Sequence, residues 1–290
     1  MMKQQKSFKK MDVGKLYLVP TPIGNLEDMT FRSIKMLKEA DLIASEDTRN
    51  TQKLLNHFEI GTKQISLHEH NVKERVPELI NYLLEGKVIA QVSDAGMPSI
   101  SDPGHELVLK AIENDIDVIS LPGASAGITA LIATGIAPQP FLFYGFLPRK
   151  TNEQKQSLEK IKELESALIF YESPHRIVKT LKVMSEVFGG SRKAVLCREL
   201  TKLFEEYTRG TIEELISFFE ETPIKGECCL IIEGFDGQVI LSEIEEGLSI
   251  REHVLQVIEQ NKVTSKVAIK EVAKIRGIKK QDVYKEYHLE

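Results

Sequence analysis

The sequence predicts an α/β protein, with two successive α/β series followed by a small helical C-terminal extension. Short apolar runs alternate with amphipathic segments of helical period, as in sheets covered on both faces by helices. The alternation breaks once, at Gly135–Pro140, and then resumes. From about residue 240 the apolar runs give out and lysine-rich helical patterns take over. The expected divisions are a mobile tail (1–12), an N-terminal α/β domain (13–136), a C-terminal α/β domain (137–238) and a basic helical extension (239–290).

In chain order, Leu16–Val19 reads as the first strand, closed by Pro20-Thr-Pro-Ile-Gly24-Asn25, where two prolines and a glycine exclude helix and strand. Thr30 is a plausible N-cap for a helix turning Phe31, Ile34, Met36 and Leu37 toward the sheet. Leu42–Ser45 and Ile65–Leu67 are the next strands, and a helix is expected near Val72–Glu85. Val88–Val92 leads into a long small-residue loop, Ser93–Gly104, before a helix from His105. Asp117–Leu121 is followed by Pro122-Gly-Ala-Ser-Ala126 and a helix of small residues starting at Ala124. In the second series the strands are Phe141–Leu147, Ala167–Tyr171, Ala194–Cys197, Phe204–Thr208 and Glu227–Glu233. A helix is expected over Asn152–Leu164, and another capped by Ser173 with Pro174 in its first position. Ser249 and Thr264 can cap the terminal helices, and Gly277 suits a C′ position before a last helix over Ile278–Tyr287, a helix-turn-helix pattern.

Composition narrows the function. The chain has 290 residues, enough for two domains, with 42% hydrophobic and 28% charged residues, as in soluble globular proteins. No apolar run approaches the roughly 18 residues that cross a bilayer, and the N-terminal stretch is polar and basic rather than signal-like. Three cysteines, two of them adjacent, make no disulfide framework and point to the cytoplasm. The net charge of -5 gives nucleic-acid binding no support by itself. Its distribution does, because Lys266, Lys270, Lys274, Lys279 and Lys280 gather in the extension.

Ligands of parallel sheets bind outside the carboxyl ends of the strands. Small-residue or polar turns follow the strands at Pro20–Asn25, Glu46–Arg49, Ser93–Gly104, Pro122–Ala126 and Glu172–Arg176, so they converge on such an edge. There is no GxGxxG and no GxxxxGK, which excludes the usual nucleotide loops. The Pro122–Ala126 turn opens a helix whose N–H groups suit a carboxylate or phosphate. His68 and His70 share a face of an extended segment, but no third ligand is evident, and no metal is expected.

Several blocks together resemble one family: Val19-Pro-Thr-Pro-Ile-Gly-Asn-Leu26, Ser45-Glu-Asp-Thr-Arg49, Val92-Ser-Asp-Ala-Gly-Met-Pro-Ser-Ile-Ser-Asp-Pro-Gly104, Leu121-Pro-Gly-Ala-Ser-Ala126, Phe146-Leu-Pro-Arg149 and Tyr171-Glu-Ser-Pro-His-Arg176. They are similar to the tetrapyrrole-methylase (class III) family of S-adenosylmethionine (AdoMet) enzymes, in its branch acting on small-subunit ribosomal RNA. The resemblance implies 2′-O-methylation of a cytidine ribose in 16S rRNA, two α/β domains with AdoMet in the cleft between them, and a homodimer. It assigns Thr21, Pro22, Ile23, Gly24, Asp94, Ala95, Gly96, Met97, Ile100, Ser125, Ala126, Tyr171 and Cys229 to the cofactor. Ser93-Asp94-Ala95 and a longer insertion stand where the tetrapyrrole enzymes have Gly-Asp-Pro, in keeping with the RNA branch.

A ribose hydroxyl is a poor nucleophile, so a base should assist. Glu46, Asp47, Glu172 and His175 are the base candidates. Arg49, Arg149 and Arg176 are candidates for RNA phosphates, and the C-terminal lysines would add salt-sensitive RNA affinity. Two other readings stay open: a methyltransferase acting on a tetrapyrrole or other small molecule, and a non-catalytic RNA-binding assembly factor.

Overall fold

The inner strands of the first series carry apolar residues on both faces, which demands a helix layer on either side. A computed structural model describes residues 4–7, 13–236, 248–261 and 263–288, with Lys274 as backbone alone. It has β1 (Lys15–Leu18), α1 (Phe31–Glu39), β2 (Leu42–Ser45), α2 (Thr48–His57), β3 (Gln64–Ser66), α3 (Val72–Leu84), β4 (Ile89–Val92), α4 (His105–Glu113), β5 (Asp117–Ser120) and α5 (Ala126–Thr134). The strands form a five-stranded sheet in the order β3-β2-β4-β1-β5, and every pair is parallel. Ile43 and Ala44 are adjacent on β2 yet belong to opposite cores. Ile43 packs with Ala90, Val92 and Ile119 against Leu37 of α1 and Leu54 and Leu55 of α2. Ala44 packs with Leu16 and Ile89 against Leu79 and Leu83 of α3 and Leu107 of α4. Parallel pairing puts all five carboxyl ends, and the loops that leave them, on one edge.

The second series comprises β6 (Phe141–Phe146), α6 (Thr151–Glu159), β7 (Ala167–Glu172), α7 (Ile177–Phe188), β8 (Lys193–Arg198), β9 (Glu206–Thr211), α8 (Ile212–Glu221) and β10 (Cys228–Ile232). Its sheet runs β6-β7-β10-β8-β9, with β7 parallel to β6 and antiparallel to β10. Leu168, Phe170 and Leu230 form its core with Leu181 and Met184 of α7 and Leu215 of α8. In the extension, α9 (Ile250–Asn261), α10 (Ser265–Arg276) and α11 (Lys280–His288) share a small core of Val254, Val257, Ile269, Val272 and Val283. Two compact units result: Met1–Ala133 with Cys197–Glu206, and Thr134–Leu196 with Tyr207–Glu290. Among the described residues no helix is long and apolar enough to cross a membrane. Cys197, Cys228 and Cys229 are buried and form no disulfide.

Local capping explains some of the helix starts. Thr30 Oγ1 accepts from Ser33 N at 3.0 Å to open α1, and Ser249 Oγ accepts from Glu252 N at 3.1 Å. Gly277 takes φ 64, ending α10 as expected.

Several expectations need correction. Phe31 is 95% exposed: the buried stripe of α1 runs through Ser33 and Leu37, four apart, and leaves Phe31 outside it. Ser173 caps nothing. Its N–H is held by Glu172 and its carbonyl accepts from Arg176 N, so a turn intervenes and α7 starts at Ile177. α5 starts at Ala126 rather than Ala124. α6 stops at Glu159 rather than Leu164, because the chain tightens into i→i+3 turns, Ile161 N to Leu158 O at 3.0 Å and Leu164 N to Ile161 O at 3.2 Å. The strand expected from Phe204 begins at Glu206, since left-handed Glu199 (φ 51) and Thr201 (φ 66) build a turn that leaves Phe204 66% exposed. α2 and α8 have no counterpart among the elements expected from the sequence. Of the tail, residues 1–3 and 8–12 lie outside the described residues. Gln5 is anchored: its amide donates to Val118 O and accepts from Val118 N, pairing the edge strand β5. Residues 237–247, where the second domain is expected to end and the extension to begin, also lie outside them.

Candidate functional site

Three loops at the carboxyl edge of the first sheet are joined to one another. Thr21 and Gly96 exchange backbone hydrogen bonds, Thr21 N to Gly96 O at 3.0 Å and Gly96 N to Thr21 O at 3.1 Å. The buried Thr21 hydroxyl donates to Ser93 O at 3.1 Å. This ties the β1 loop to the β4 loop. Gly96 has φ 76, and a Cβ there would lie 3.3 Å from Ile23 Cγ2 and 3.4 Å from Ala124 O, so the β5 loop closes on the same point. Gly123 packs on Pro20. Of the residues assigned to the cofactor in this unit, Thr21, Ile23 and Gly96 are buried; Pro22, Met97, Ser125 and Ala126 are half-buried; Gly24, Asp94, Ala95 and Ile100 are exposed. Tyr171 and Cys229 are register partners on β7 and β10 of the second sheet. The Tyr171 ring meets Phe143 and Phe146 edge-on, at 5.1 and 5.5 Å.

The acids beside these loops differ sharply. Asp47 caps α2, accepting from Arg49 N at 2.9 Å, and it binds the Arg49 side chain at 3.1 and 2.7 Å. The Arg49 hydrogen bonds hold its carboxyl at about 2. Glu46 is pushed the other way, chiefly by burial, with the charges of Asp102, Asp94 and Glu69 adding to it against one hydrogen bond from Asp94 N–H. That bond, to Glu46 Oε2, measures 3.3 Å. Asp94 accepts from Asp47 N at 3.2 Å and Asn50 Nδ2 at 2.9 Å. Asp102 is also raised, again mainly by burial. A half-buried carboxylate with a raised proton affinity is suited to accept a proton; one clamped by arginine is not.

In the second unit the Glu172 side chain is buried and fully engaged. Oε1 accepts from Ser173 N at 2.8 Å, Oε2 accepts from Thr180 Oγ1 at 2.7 Å, and Arg176 stands 3.4 Å from Oε2. Thr180 in turn accepts from Gln154 Nε2 at 3.0 Å. The Arg176 guanidinium also reaches Pro148 O at 3.0 Å, stapling the Phe146–Arg149 segment to the Glu172–Arg176 turn. Glu172 and Arg176 are thus committed to holding this turn, while His175 on the turn and Arg149 at the end of the stapled segment are exposed. In the extension, Lys266, Lys270, Lys279 and Lys280 are exposed, and the Lys274 side chain lies outside the described residues. Among the described residues no cluster of three or more acids, histidines or cysteines is arranged to hold a metal. His68 and His70 stack edge-on at 5.9 Å.

The sequence reading missed two features. Gln91, 1% exposed within apolar β4, donates to Ser99 Oγ at 2.7 Å and packs under Gly104, supporting the long loop. A lone amide in an apolar run is the signal that was available. The Glu199–Glu205 turn brings Lys202, paired to Glu199 at 2.9 Å, against Gly24. Nothing local in that segment announces the contact.

Residues 15–216 match the family of Tetrapyrrole (Corrin/Porphyrin) Methylases. The chain is 55% identical over 290 residues to the ribosomal RNA small subunit methyltransferase I of Streptococcus pyogenes serotype M1, covering 99% of each. It is 50% identical over 292 residues to the protein of that name in Bacillus subtilis (strain 168), covering 100% of this chain and 99% of the relative. Among solved structures, the uroporphyrin-III C-methyl transferase of Thermus thermophilus complexed with S-adenyl homocysteine aligns with TM-score 0.55 at 16% identity, over 76% of this chain and 97% of that one. Diphthine synthase aligns at 0.59 and 14%, over 76% and 90%. At such identities these two likenesses speak for the fold alone. Family match and full-length relatives together establish that the chain belongs to the tetrapyrrole-methylase family of AdoMet-dependent methyltransferases, in the group of ribosomal RNA small subunit methyltransferase I.

Proposed function

We propose that this protein methylates the ribose 2′-hydroxyl of a cytidine in 16S ribosomal RNA, working in the cytoplasm as a homodimer. The observation that carries the reading is the joined β1, β4 and β5 loops with Glu46 at their edge, in a chain whose full-length relatives bear an rRNA methyltransferase name. AdoMet, when bound, supplies an electrophilic methyl group on a sulfonium. The loops suit it: Gly96 and Gly123 bring backbone close without side chains, Ile100 and Met97 offer apolar contact, and Ser125 and Ala126 open α5 where N–H groups point outward.

The residues themselves then have distinct tasks. Thr21 and Gly96 hold the loops in register, so that the geometry is set before substrate arrives. Glu46 accepts the 2′-hydroxyl proton at Oε1, its other oxygen being fixed by Asp94 N–H. Arg49 and Arg149, both exposed, bind RNA phosphates, and His175 lies on the same turn as the Glu172–Arg176 brace.

The test is tritium transfer from labelled AdoMet to small ribosomal subunits from a strain lacking the gene, followed by nuclease digestion. Label in 2′-O-methylcytidine is the expected result. AdoMet binding without label in RNA moves the acceptor to a small molecule, and absence of AdoMet binding leaves the assembly-factor reading.

A further inference from the structure

The extension holds a cavity of about 310 Å³ between α10 and α11, lined by Ser265, Lys266, Ile269, Lys280, Tyr284 and His288. Two helical stripes make it. Lys280, Tyr284 and His288 follow one another at four-residue spacing on α11, and Lys266 and Ile269 are three apart on α10, so each set shares a face. Ile269 is 2% exposed and forms an apolar floor. Tyr284 is 55% exposed, a large ring left at the surface, and its face tilts toward His288 with centroids 4.4 Å apart. Lys266 and Lys280 are both exposed. None of the six lining residues is acidic.

An apolar floor, an aromatic wall and two flanking ammonium groups match an unstacked nucleobase with its neighbouring phosphates. The ring takes the base face whatever its sequence, and each lysine takes a phosphate as a point charge. A site for phosphate alone would need no exposed tyrosine, and a peptide groove would need an apolar rim instead of lysines. We infer that this cavity is a base-stacking subsite for a single-stranded nucleotide of the RNA substrate, with Tyr284 as the platform and Lys266 and Lys280 as phosphate clamps. The inference rests on the RNA-methylation reading above. It adds to the general basic character of the extension a point where one splayed base is held.

The experiment uses the full-length protein and two fluorescent probes, a short single-stranded oligoribonucleotide and the same backbone with abasic sites. Anisotropy titrations at several salt concentrations are run for wild type, Tyr284→Ala, Tyr284→Phe, Lys266→Gln and Lys280→Gln, alongside methyl transfer to small subunits. Removing one stacking ring should weaken the base-bearing probe by about 5- to 150-fold and leave the abasic probe unchanged. Tyr284→Phe should bind within about twofold of wild type, since the ring face is kept. Each lysine variant should flatten the salt dependence by about one ion for both probes. Circular dichroism confirms that Tyr284→Ala keeps its helices. The inference is overturned if Tyr284→Ala binds the base-bearing probe like wild type, or if wild type binds both probes equally while still methylating subunits. A wild-type protein that neither methylates subunits nor binds either probe refutes instead the reading on which the inference stands.

Discussion

Replacing Gly123 by alanine tests whether close contact between the β1 and β5 loops is what shapes the site. A Cβ at Gly123 would sit 2.4 Å from Pro20 Cβ and 2.8 Å from Pro20 Cγ. Carbon atoms pack comfortably at about 3.5–4.0 Å, so the two loops must part by about 1 Å. The proline ring cannot rotate away as a flexible side chain would. Overpacking of this kind costs about 1–3 kcal/mol. Pro20 directly precedes Thr21, so the displacement falls on the hydrogen bonds of 3.0 and 3.1 Å that join Thr21 to Gly96. If the whole misfit is spent on the binding-competent geometry, the AdoMet dissociation constant rises by about 5- to 150-fold. The assay is calorimetric titration with AdoMet, with thermal unfolding recorded on the same samples. Gly61→Ala is the control. Nothing lies within 4 Å of a Cβ there, and it should bind normally. Wild-type affinity and melting in Gly123→Ala, or an equal loss in Gly61→Ala, would refute the reasoning.

Glu46→Gln should lower methyl transfer by about 10²- to 10⁴-fold with AdoMet affinity unchanged, the range for a general base. In the wild type the base works deprotonated and its pKa is raised from 4.5, so activity should fall with acid at a pH above the ordinary carboxylate range; a profile without such a limb would remove Glu46 from the role. Glu172→Ala takes a buried carboxylate from Ser173 N, Thr180 and Arg176. Urea unfolding should show a loss of about 3 kcal/mol, and an unchanged midpoint would contradict the bracing role. His253, 1% exposed, accepts from Arg276 Nε at 2.9 Å through Nδ1, which requires the neutral ring. Burial first, then the Arg276 charge, lowers its pKa from 6.5. The unfolded chain therefore binds the proton more readily: this stability is complete above 6.5 and is lost as pH falls through 6.5 toward the folded pKa. Melting curves at about pH 7.5 and 5.5 should show this slope in the wild type and a smaller one in His253→Gln, which keeps an acceptor but does not titrate.

What the sequence determined by itself is what depends on neighbours along the chain. Strand positions such as Leu42–Ser45 and Cys228–Ile232 were legible because their apolar runs must be buried wherever they go. The loops after β1, β4 and β5 were legible because proline and glycine forbid anything regular there. Even α2 and α8 carried local signals that went unread, an Asp47 cap and a Thr211–Glu214 capping box. Tertiary structure alone decided the roles of the polar residues. Glu46 and Glu172 both follow apolar strands and look alike as text. One is half-buried beside Asp94, Asp102 and Glu69, which raises its proton affinity, whereas the other is consumed by Thr180 and Arg176. The Thr21–Gly96 bridge spans 75 residues of chain and the Gly24–Lys202 contact spans more. A carboxylate's charge state is set by burial and by nearby charges and donors, most of which arrive from distant parts of the chain. Sequence therefore names the residues able to do the chemistry, and packing chooses among them.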